Sequence, residues 1–120
     1  MSKILIKKIY HLSSCSTCKK IIGELNTNED FELQNIKQDN ISAEALDEAA
    51  AKLGSYEALF SRKAMKYRQQ GWHEKQLSEQ DYRQLILEEY TFLKRPVVFI
   101  GEDVFAGNAK ATVDAAKSKL

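Results

Sequence analysis

The stretch IYHLSSCSTCKK, residues 9–20, contains both cysteines of the chain, Cys15 and Cys18. A β-rich run ends inside this stretch and a helical pattern begins inside it, so the cysteines lie where a predicted strand turns into a predicted helix. Two cysteines at this spacing can form a redox pair, supply half of a metal site, or pack as small residues. The fold and the function predicted for the chain depend on which of these is correct.

The composition is that of an ordinary globular protein. A chain of 120 residues fits one domain, 1–120, and is long enough to fold without disulfides or a metal. A formal net charge of +1 gives no reason to expect direct contact with nucleic acid or a membrane. The sequence shows no signal-peptide pattern and no apolar run that could span a bilayer. We therefore expect a cytoplasmic protein, where a permanent disulfide is disfavoured.

The first half of the chain predicts alternating strands and helices. Hydrophobic periodicity and turn residues place them at 3–10 (strand), 15 or 16 to 25 (helix), 31–36 (strand) and 43–53 (helix). Ser42 and Gly54 are expected to cap the last of these helices. In the second strand, Phe31, Leu33 and Asn35 are predicted to share one face.

The second half predicts two further strands between helices. The predicted elements are short helical turns over 56–71, a helix over 78–90, strands at 97–100 and 104–106, and a last helix over 109–120. Ser78 with Asp81 is expected to form a capping box, and Asn108 to cap the last helix. The strand-helix-strand start predicts a parallel pair with a right-handed crossover, and the turn at Gly101 predicts an antiparallel hairpin. The order predicts an α/β fold with a small mixed sheet.

The position of the two cysteines predicts different chemistry for each. The first N–H groups of a helix lack partners and carry positive potential, so a thiolate is favoured at Cys15 and its pKa should fall. Cys18 shares the apolar face of the helix with Ile21, Ile22 and Leu25, which turns it inward. One turn on from Cys15, it is placed to attack a mixed disulfide and resolve it.

Two other interpretations of the cysteines are less favoured. The first is a zinc site, which needs about four ligands. The only histidines, His11 and His73, are far apart in sequence, so no metal is expected. Inert packing is the second alternative, because buried cysteine behaves as a small hydrophobic residue.

Two stretches resemble the arsenate reductase (ArsC) and Spx family, which has a thioredoxin-like fold. Residues 9–20 are similar to its active-site segment, in which a strand ends in Tyr-His or a similar pair, followed by three residues and Cys-x-Thr. The run LKRPVVFIGEDVFAG, residues 93–107, is similar to its Arg-Pro strand, turn and final strand. The resemblance covers nearly the whole chain. It implies a thioredoxin- or glutaredoxin-like α/β fold, a small mixed sheet flanked by helices with an inserted helical segment.

The resemblance also implies roles for individual residues. Cys15 matches the nucleophilic cysteine, His11 matches a histidine that assists the site, and Cys18 would be the resolving thiol. A guanidinium and the N–H groups of a helix start can together hold an oxyanion. The substrate-binding residues implied in this way are Arg95, Arg62, Ser16, Thr17 and Pro96, the last of them in a cis peptide bond with Arg95.

The chain also departs from the family pattern. Cys18 is present, as in Spx, whereas the arsenate reductases resemble one another in lacking it and using an external thiol. A second family arginine would fall at Ser61, where the adjacent Arg62 could replace it, and a third has no match at 106–108. The implied function is a thiol-dependent oxidoreductase acting on an oxyanion or a disulfide. No bound cofactor is expected, and the external reductant would be glutathione or a glutaredoxin-type protein.

The Spx side of the family implies a different function. There, a glycine and an arginine eight residues apart face RNA polymerase, and Gly54 and Arg62 have this separation. The alternative is therefore a redox-sensing regulator that binds the α-subunit of RNA polymerase. A third possibility is a stress-related binding protein that keeps the fold and has lost the chemistry.

Overall fold

The computed structural model of the chain describes residues 6–120 and contains a four-stranded mixed sheet. Its strands are β1 (Lys7–His11), β2 (Glu32–Asn35), β3 (Val97–Ile100) and β4 (Asp103–Ala106). Their order in the sheet is β2-β1-β3-β4. Strand β1 is parallel to β2 and antiparallel to β3, which forms an antiparallel hairpin with β4. The parallel pair and the hairpin predicted from the sequence are both confirmed.

Five α-helices and three 3₁₀ turns complete the described chain. The helices are α1 (Ser16–Leu25), α2 (Ala43–Leu53), α3 (Met65–Gln69), α4 (Glu79–Glu88) and α5 (Lys110–Lys117). The 3₁₀ turns are Glu57–Leu59, Trp72–Glu74 and Tyr90–Phe92. Among these helices, none is long and apolar enough to cross a membrane.

The described residues divide into two compact units. The first consists of residues 6–39 and 95–120 and contains the sheet, α1 and α5. The second consists of residues 40–94 and contains α2, α3 and α4. In chain order it is the helical insertion between β2 and β3 that the sequence predicted. A single domain over 1–120 stays a prediction.

The core of the first unit fixes α1 against the sheet. Strand β3 is buried along its whole length, as its uninterrupted apolar run predicts. Side chains from β1, α1, β3 and α5, together with the residue before β2, form one apolar cluster: Ile9, Ile21, Leu25, Phe31, Val98, Ile100, Val113 and Ala116. Each of the larger side chains in this cluster contributes about 1.5–3 kcal/mol through burial. This packing sets the place where α1 begins relative to the end of β1.

The second unit has its own aromatic core and well-capped helices. The ring of Phe60 stacks on Phe92 at 5.2 Å and also contacts Tyr67 and Tyr82. Ser42 accepts a hydrogen bond from the Ala45 N–H at the start of α2. The predicted caps of α2 and the capping box of α4 are confirmed.

Several sequence-based boundaries differ from the structure. The first strand was predicted over 3–10, and its residues 3–5 lie outside the described residues; β1 begins at Lys7 and continues to His11. Leu33 is predicted to share a face with Phe31, but Phe31 is buried whereas the Leu33 side chain, in the edge strand β2, is 44% exposed. The last helix is not capped by Asn108, because Ala109 adopts the extended N-cap conformation and α5 begins at Lys110.

Candidate active site

A tight turn connects β1 to α1 and carries the first cysteine. The Cys15 N–H donates to the Leu12 carbonyl at 3.0 Å and closes the turn. Cys15 itself has extended backbone angles, φ −91° and ψ 113°, and is the N-cap of α1. Its carbonyl accepts the first helical hydrogen bond, from the Lys19 N–H. The prediction that α1 starts at this cysteine is therefore confirmed.

The half-buried thiol of Cys15 faces the unpaired N–H groups of the first helical turn. Burial raises its pKa, but the N–H groups of Cys18 and Thr17, the Cys18 side chain and the charge of Arg95 outweigh this and lower it below its usual value. No acidic residue in the first turn opposes them. The site therefore favours a thiolate at Cys15.

Cys18 has the opposite environment. Its side chain is fully buried on the inner face of α1, as the helical spacing predicted. Burial is the main reason that the pKa of Cys18 is raised to about 11. The neighbouring Cys15 thiol also raises it, whereas a backbone hydrogen bond from Leu12 and the charge of Arg95 lower it. At neutral pH, Cys18 is a thiol that can donate a hydrogen bond to the Cys15 sulfur. Both cysteines are free in this structure.

Arg95 and Pro96 lie at the start of β3. Their peptide bond is cis, as the resemblance implied, and the buried Pro96 accepts a hydrogen bond from the Gly107 N–H through its carbonyl at 2.9 Å. The guanidinium of Arg95 acts electrostatically on both Cys15 and Cys18. Arg95 is thus the cation that the structure brings to the two sulfurs.

His11 is the last residue of β1 and is only partly exposed. Burial lowers the pKa of its imidazole below the usual value, so the ring is neutral at neutral pH. Its carbonyl accepts a hydrogen bond from the Ile36 N–H at 2.8 Å, which fixes the end of β1 against the chain that follows β2. A neutral imidazole at this strand end can accept a proton.

The remaining predicted site residues have different settings. Ser16 and Thr17 are exposed at the first positions of α1, with their N–H groups in the first helical turn. Arg62 belongs to the second unit, where its guanidinium binds the Glu57 carboxylate and the Tyr82 hydroxyl. Its hydrogen bond with Glu57 is the main reason that the pKa of Arg62 is raised. Gly54 is the left-handed C-cap of α2, with φ 97°.

Metal ligands do not cluster in the described chain. Over residues 6–120, no group of three or more His, Cys, Asp or Glu side chains is arranged to hold a metal ion.

Asn35 is a site residue that the sequence did not reveal. From the end of β2, its side-chain oxygen accepts a hydrogen bond from the Ser13 N–H at 3.3 Å, and its side-chain nitrogen donates to the Ser13 hydroxyl at 3.0 Å. It was predicted only as a strand residue. A polar side chain before a turn was the sole local signal, and its partner lies 22 positions earlier in the chain.

The comparisons with known proteins agree with this geometry. A family model described as the ArsC family matches residues 10–116. The solved structure of an arsenate reductase from Vibrio cholerae is 18% identical and covers 98% of this chain and 100% of its own, with a TM-score of 0.79. An arsenate reductase (ArsC) related protein from Brucella melitensis is 23% identical and covers 96% and 97%, with a TM-score of 0.69.

A third solved structure, SACOL0876 from Staphylococcus aureus, is 24% identical and covers 92% of this chain and 97% of its own, with a TM-score of 0.76. At these identities the structural likeness shows the fold alone, and it confirms the thioredoxin-like α/β architecture. No curated protein matched the chain.

Proposed function

Because the chain belongs to the ArsC family, we propose that it is a thiol-dependent oxidoreductase in which Cys15 is the nucleophile. One observation carries the proposal: the two cysteines have opposed environments. The pKa of Cys15 is lowered by donors and by Arg95, whereas burial holds Cys18 as a thiol. Ordered disulfide exchange needs a nucleophile that ionises more readily than the resolving thiol beside it, and these environments provide that difference.

With a disulfide substrate, the reaction proceeds in two exchanges. The Cys15 thiolate attacks one substrate sulfur, the substrate S–S bond breaks, and the leaving thiolate takes a proton. Cys18 then loses its proton and attacks the Cys15 sulfur, which forms the Cys15–Cys18 disulfide and releases the second substrate thiol. Two thiols of glutathione, or a glutaredoxin-type dithiol, reduce that disulfide and become oxidised. These donors belong to the reducing cytoplasm that the sequence predicts.

With an oxyanion substrate, the same nucleophile forms a different adduct. The names of the structural neighbours suggest arsenate, in which arsenic is pentavalent. The Cys15 thiolate would attack arsenic and displace an oxygen as water, which forms a sulfur–arsenic bond. A second thiol, Cys18 or glutathione, then attacks the Cys15 sulfur. The pair of electrons in the broken sulfur–arsenic bond passes to arsenic, which leaves as trivalent arsenite, and a disulfide remains.

The other site residues would assist either reaction. We assign the charge of Arg95 and the N–H groups at Ser16 and Thr17 to binding a negatively charged group near the Cys15 sulfur. The neutral His11 is assigned to accepting or returning a proton. Pro96, next to Arg95 in the chain, would form part of the same substrate-binding site. Substrate binding by Arg62 stays a prediction from the resemblance.

Turnover with two substrates tests the proposal. Purified protein is given glutathione with either arsenate or hydroxyethyl disulfide, with and without glutaredoxin, and oxidised glutathione is measured with glutathione reductase. We expect turnover of at least one substrate, abolished in Cys15→Ser, while Cys18→Ser loses activity only where Cys18 is the resolving thiol. Absence of turnover with both substrates, or full activity in Cys15→Ser, would overturn the proposal.

The regulatory alternative is tested separately. Gly54 is the C-cap of α2, and Arg62 binds the side chains of Glu57 and Tyr82. These local roles account for both residues without a polymerase contact. A pull-down with the C-terminal domain of the polymerase α-subunit distinguishes the functions. Binding that is lost in Arg62→Glu would support the regulator, and absence of binding would count against it.

A further inference from the structure

We propose that Asn35 is a positioning residue for Cys15, because its side chain ties the Ser13 turn to the end of β2 and so holds the Cys15 sulfur at the start of α1. The inference rests on the proposed role of Cys15 as the nucleophile. Asn35 itself would touch neither substrate nor the reacting atoms.

The turn between β1 and α1 depends on hydrogen bonds because it has little packing. Ser13 and Ser14 are both exposed, so no buried apolar side chain anchors its middle. The backbone bond from Cys15 to Leu12 closes the turn but does not attach it to the sheet. The two Asn35 bonds to Ser13, one to its N–H and one to its hydroxyl, supply that attachment.

Asn35 is itself held firmly enough to act as an anchor. It pairs with His11 in the parallel register of β1 and β2. The next residue, Ile36, is buried and donates its N–H to the His11 carbonyl. The Asn35 side-chain oxygen also accepts the Lys37 N–H at 3.3 Å, which fixes its orientation. An anchored side chain that contacts the turn two residues before Cys15 restricts where the sulfur can lie.

The position of the sulfur matters because its partners act over short distances. The N–H groups that favour the thiolate belong to Thr17 and Cys18, and their effect falls off within one helical turn. The charged and titratable groups acting on the Cys15 thiol are Cys18 in α1 and Arg95 before β3. Asn35 is neutral, so replacing it with alanine changes no charge at the site. A change in Cys15 acidity in that variant therefore reports a change in position.

Alkylation kinetics provide the test. The rate of Cys15 alkylation by iodoacetamide is measured against pH by mass spectrometry, in the wild type, Asn35→Ala and Gln34→Ala. Gln34 is a matched control, because it is the neighbouring amide and its side chain donates to the Asp39 carbonyl. Ser13→Ala is a milder second variant, which removes only a hydroxyl from an exposed turn residue.

We expect Asn35→Ala to raise the apparent Cys15 pKa by about half a unit to one unit, the size of one weakened hydrogen bond, and to slow alkylation at neutral pH about threefold to tenfold. Ser13→Ala should shift it less in the same direction, and Gln34→Ala should leave it unchanged. A purely structural role would lower the melting temperature and leave the pKa unmoved. If the wild-type protein has a lowered Cys15 pKa and both Asn35→Ala and Ser13→Ala keep that same pKa, the positioning role is overturned and the proposed nucleophile is not. A wild-type pKa equal to that of free cysteine would instead reject the proposed nucleophile, and the positioning role with it.

Discussion

At the level of single residues, one turn of helix separates two cysteines of opposite character. Cys15 ends an exposed turn and meets backbone donors, whereas Cys18 points into the core. Cys15 is the extended N-cap of α1, whereas Cys18 lies within the first turn on the inner face of the helix, so position and side-chain direction together produce the difference. This asymmetry is the basis of our proposal that the first cysteine attacks and the second resolves.

Arg95 provides a residue-level prediction. Replacement with glutamine removes a positive charge that lowers the Cys15 pKa, so the apparent pKa should rise. The shift should be larger in roughly 0.01 M salt than in roughly 1 M salt, where the Debye length is only about 3 Å. Alkylation against pH at the two salt concentrations measures it.

A cation elsewhere on α1 serves as the control for Arg95. Lys20→Gln removes the same charge from an exposed position in the helix, and we expect a smaller shift. Equal shifts in the two variants would mean that net charge, and not the placement of Arg95, sets the acidity of Cys15.

At the level of elements, the start of α4 has a complete capping box. The Ser78 hydroxyl accepts the Asp81 N–H at 3.2 Å, and the Asp81 carboxylate accepts the Ser78 N–H at 2.8 Å. Ser78→Ala should lower the free energy of unfolding by about 1 kcal/mol, because an N–H at the helix start loses its partner. Denaturant unfolding measures the change.

An exposed serine without an N-cap role gives the matched control for Ser78. Ser118→Ala, at the end of α5, should change stability by no more than about 0.5 kcal/mol.

The other half of the capping box, Asp81, gives a prediction about pH. The hydrogen bond from the Ser78 N–H lowers the Asp81 pKa. The stability that this carboxylate contributes is therefore present above its unfolded pKa and is lost as pH falls through the folded value. Destabilisation by Asp81→Asn should therefore shrink in acid; a pH-independent loss would contradict the capping box.

Local features were predictable from the sequence, and features that depend on distant residues were not. The caps at Ser42, Gly54 and Ser78 follow from residue type and spacing within a few positions. The exposure of Leu33 could not be predicted, because it depends on β2 lying at the edge of the sheet. The cap of α5 was misplaced by one residue, since Asn108 and Ala109 are adjacent candidates and only the backbone angles decide between them.

The candidate site shows the same limit. The first helical turn at Cys15 and the burial of Cys18 follow from helical periodicity. The role of Asn35 requires knowledge that β2 lies parallel to β1, with its end beside the Ser13 turn. The sequence predicts the parallel pair but not its register, which places Asn35 opposite His11, so it does not specify this contact.

At the level of the whole molecule, the prediction of one domain has a direct test. Trp72 is the only tryptophan and belongs to the second unit, whereas Ile9 is fully buried in the core of the first. Ile9→Val should destabilise the protein by about 0.5–1.5 kcal/mol through loss of a buried methylene. If the chain unfolds as one domain, Trp72 fluorescence and circular dichroism should shift to the same lower midpoint.

A second core variant completes the comparison of the two units. Leu59→Ala removes a fully buried side chain from the second unit and should also move both signals together. A Trp72 midpoint that is unmoved by Ile9→Val would show that the units unfold independently.

The central claim is that the fold makes Cys15 an activated nucleophile, and the pH dependence of its alkylation in the wild-type protein tests this most directly. The account predicts that the apparent pKa of Cys15 lies below the ~8.5 of free cysteine. It also predicts that Cys18, which is fully buried, is alkylated only after unfolding. An apparent pKa at or above that of free cysteine, or preferential alkylation of Cys18, would contradict it.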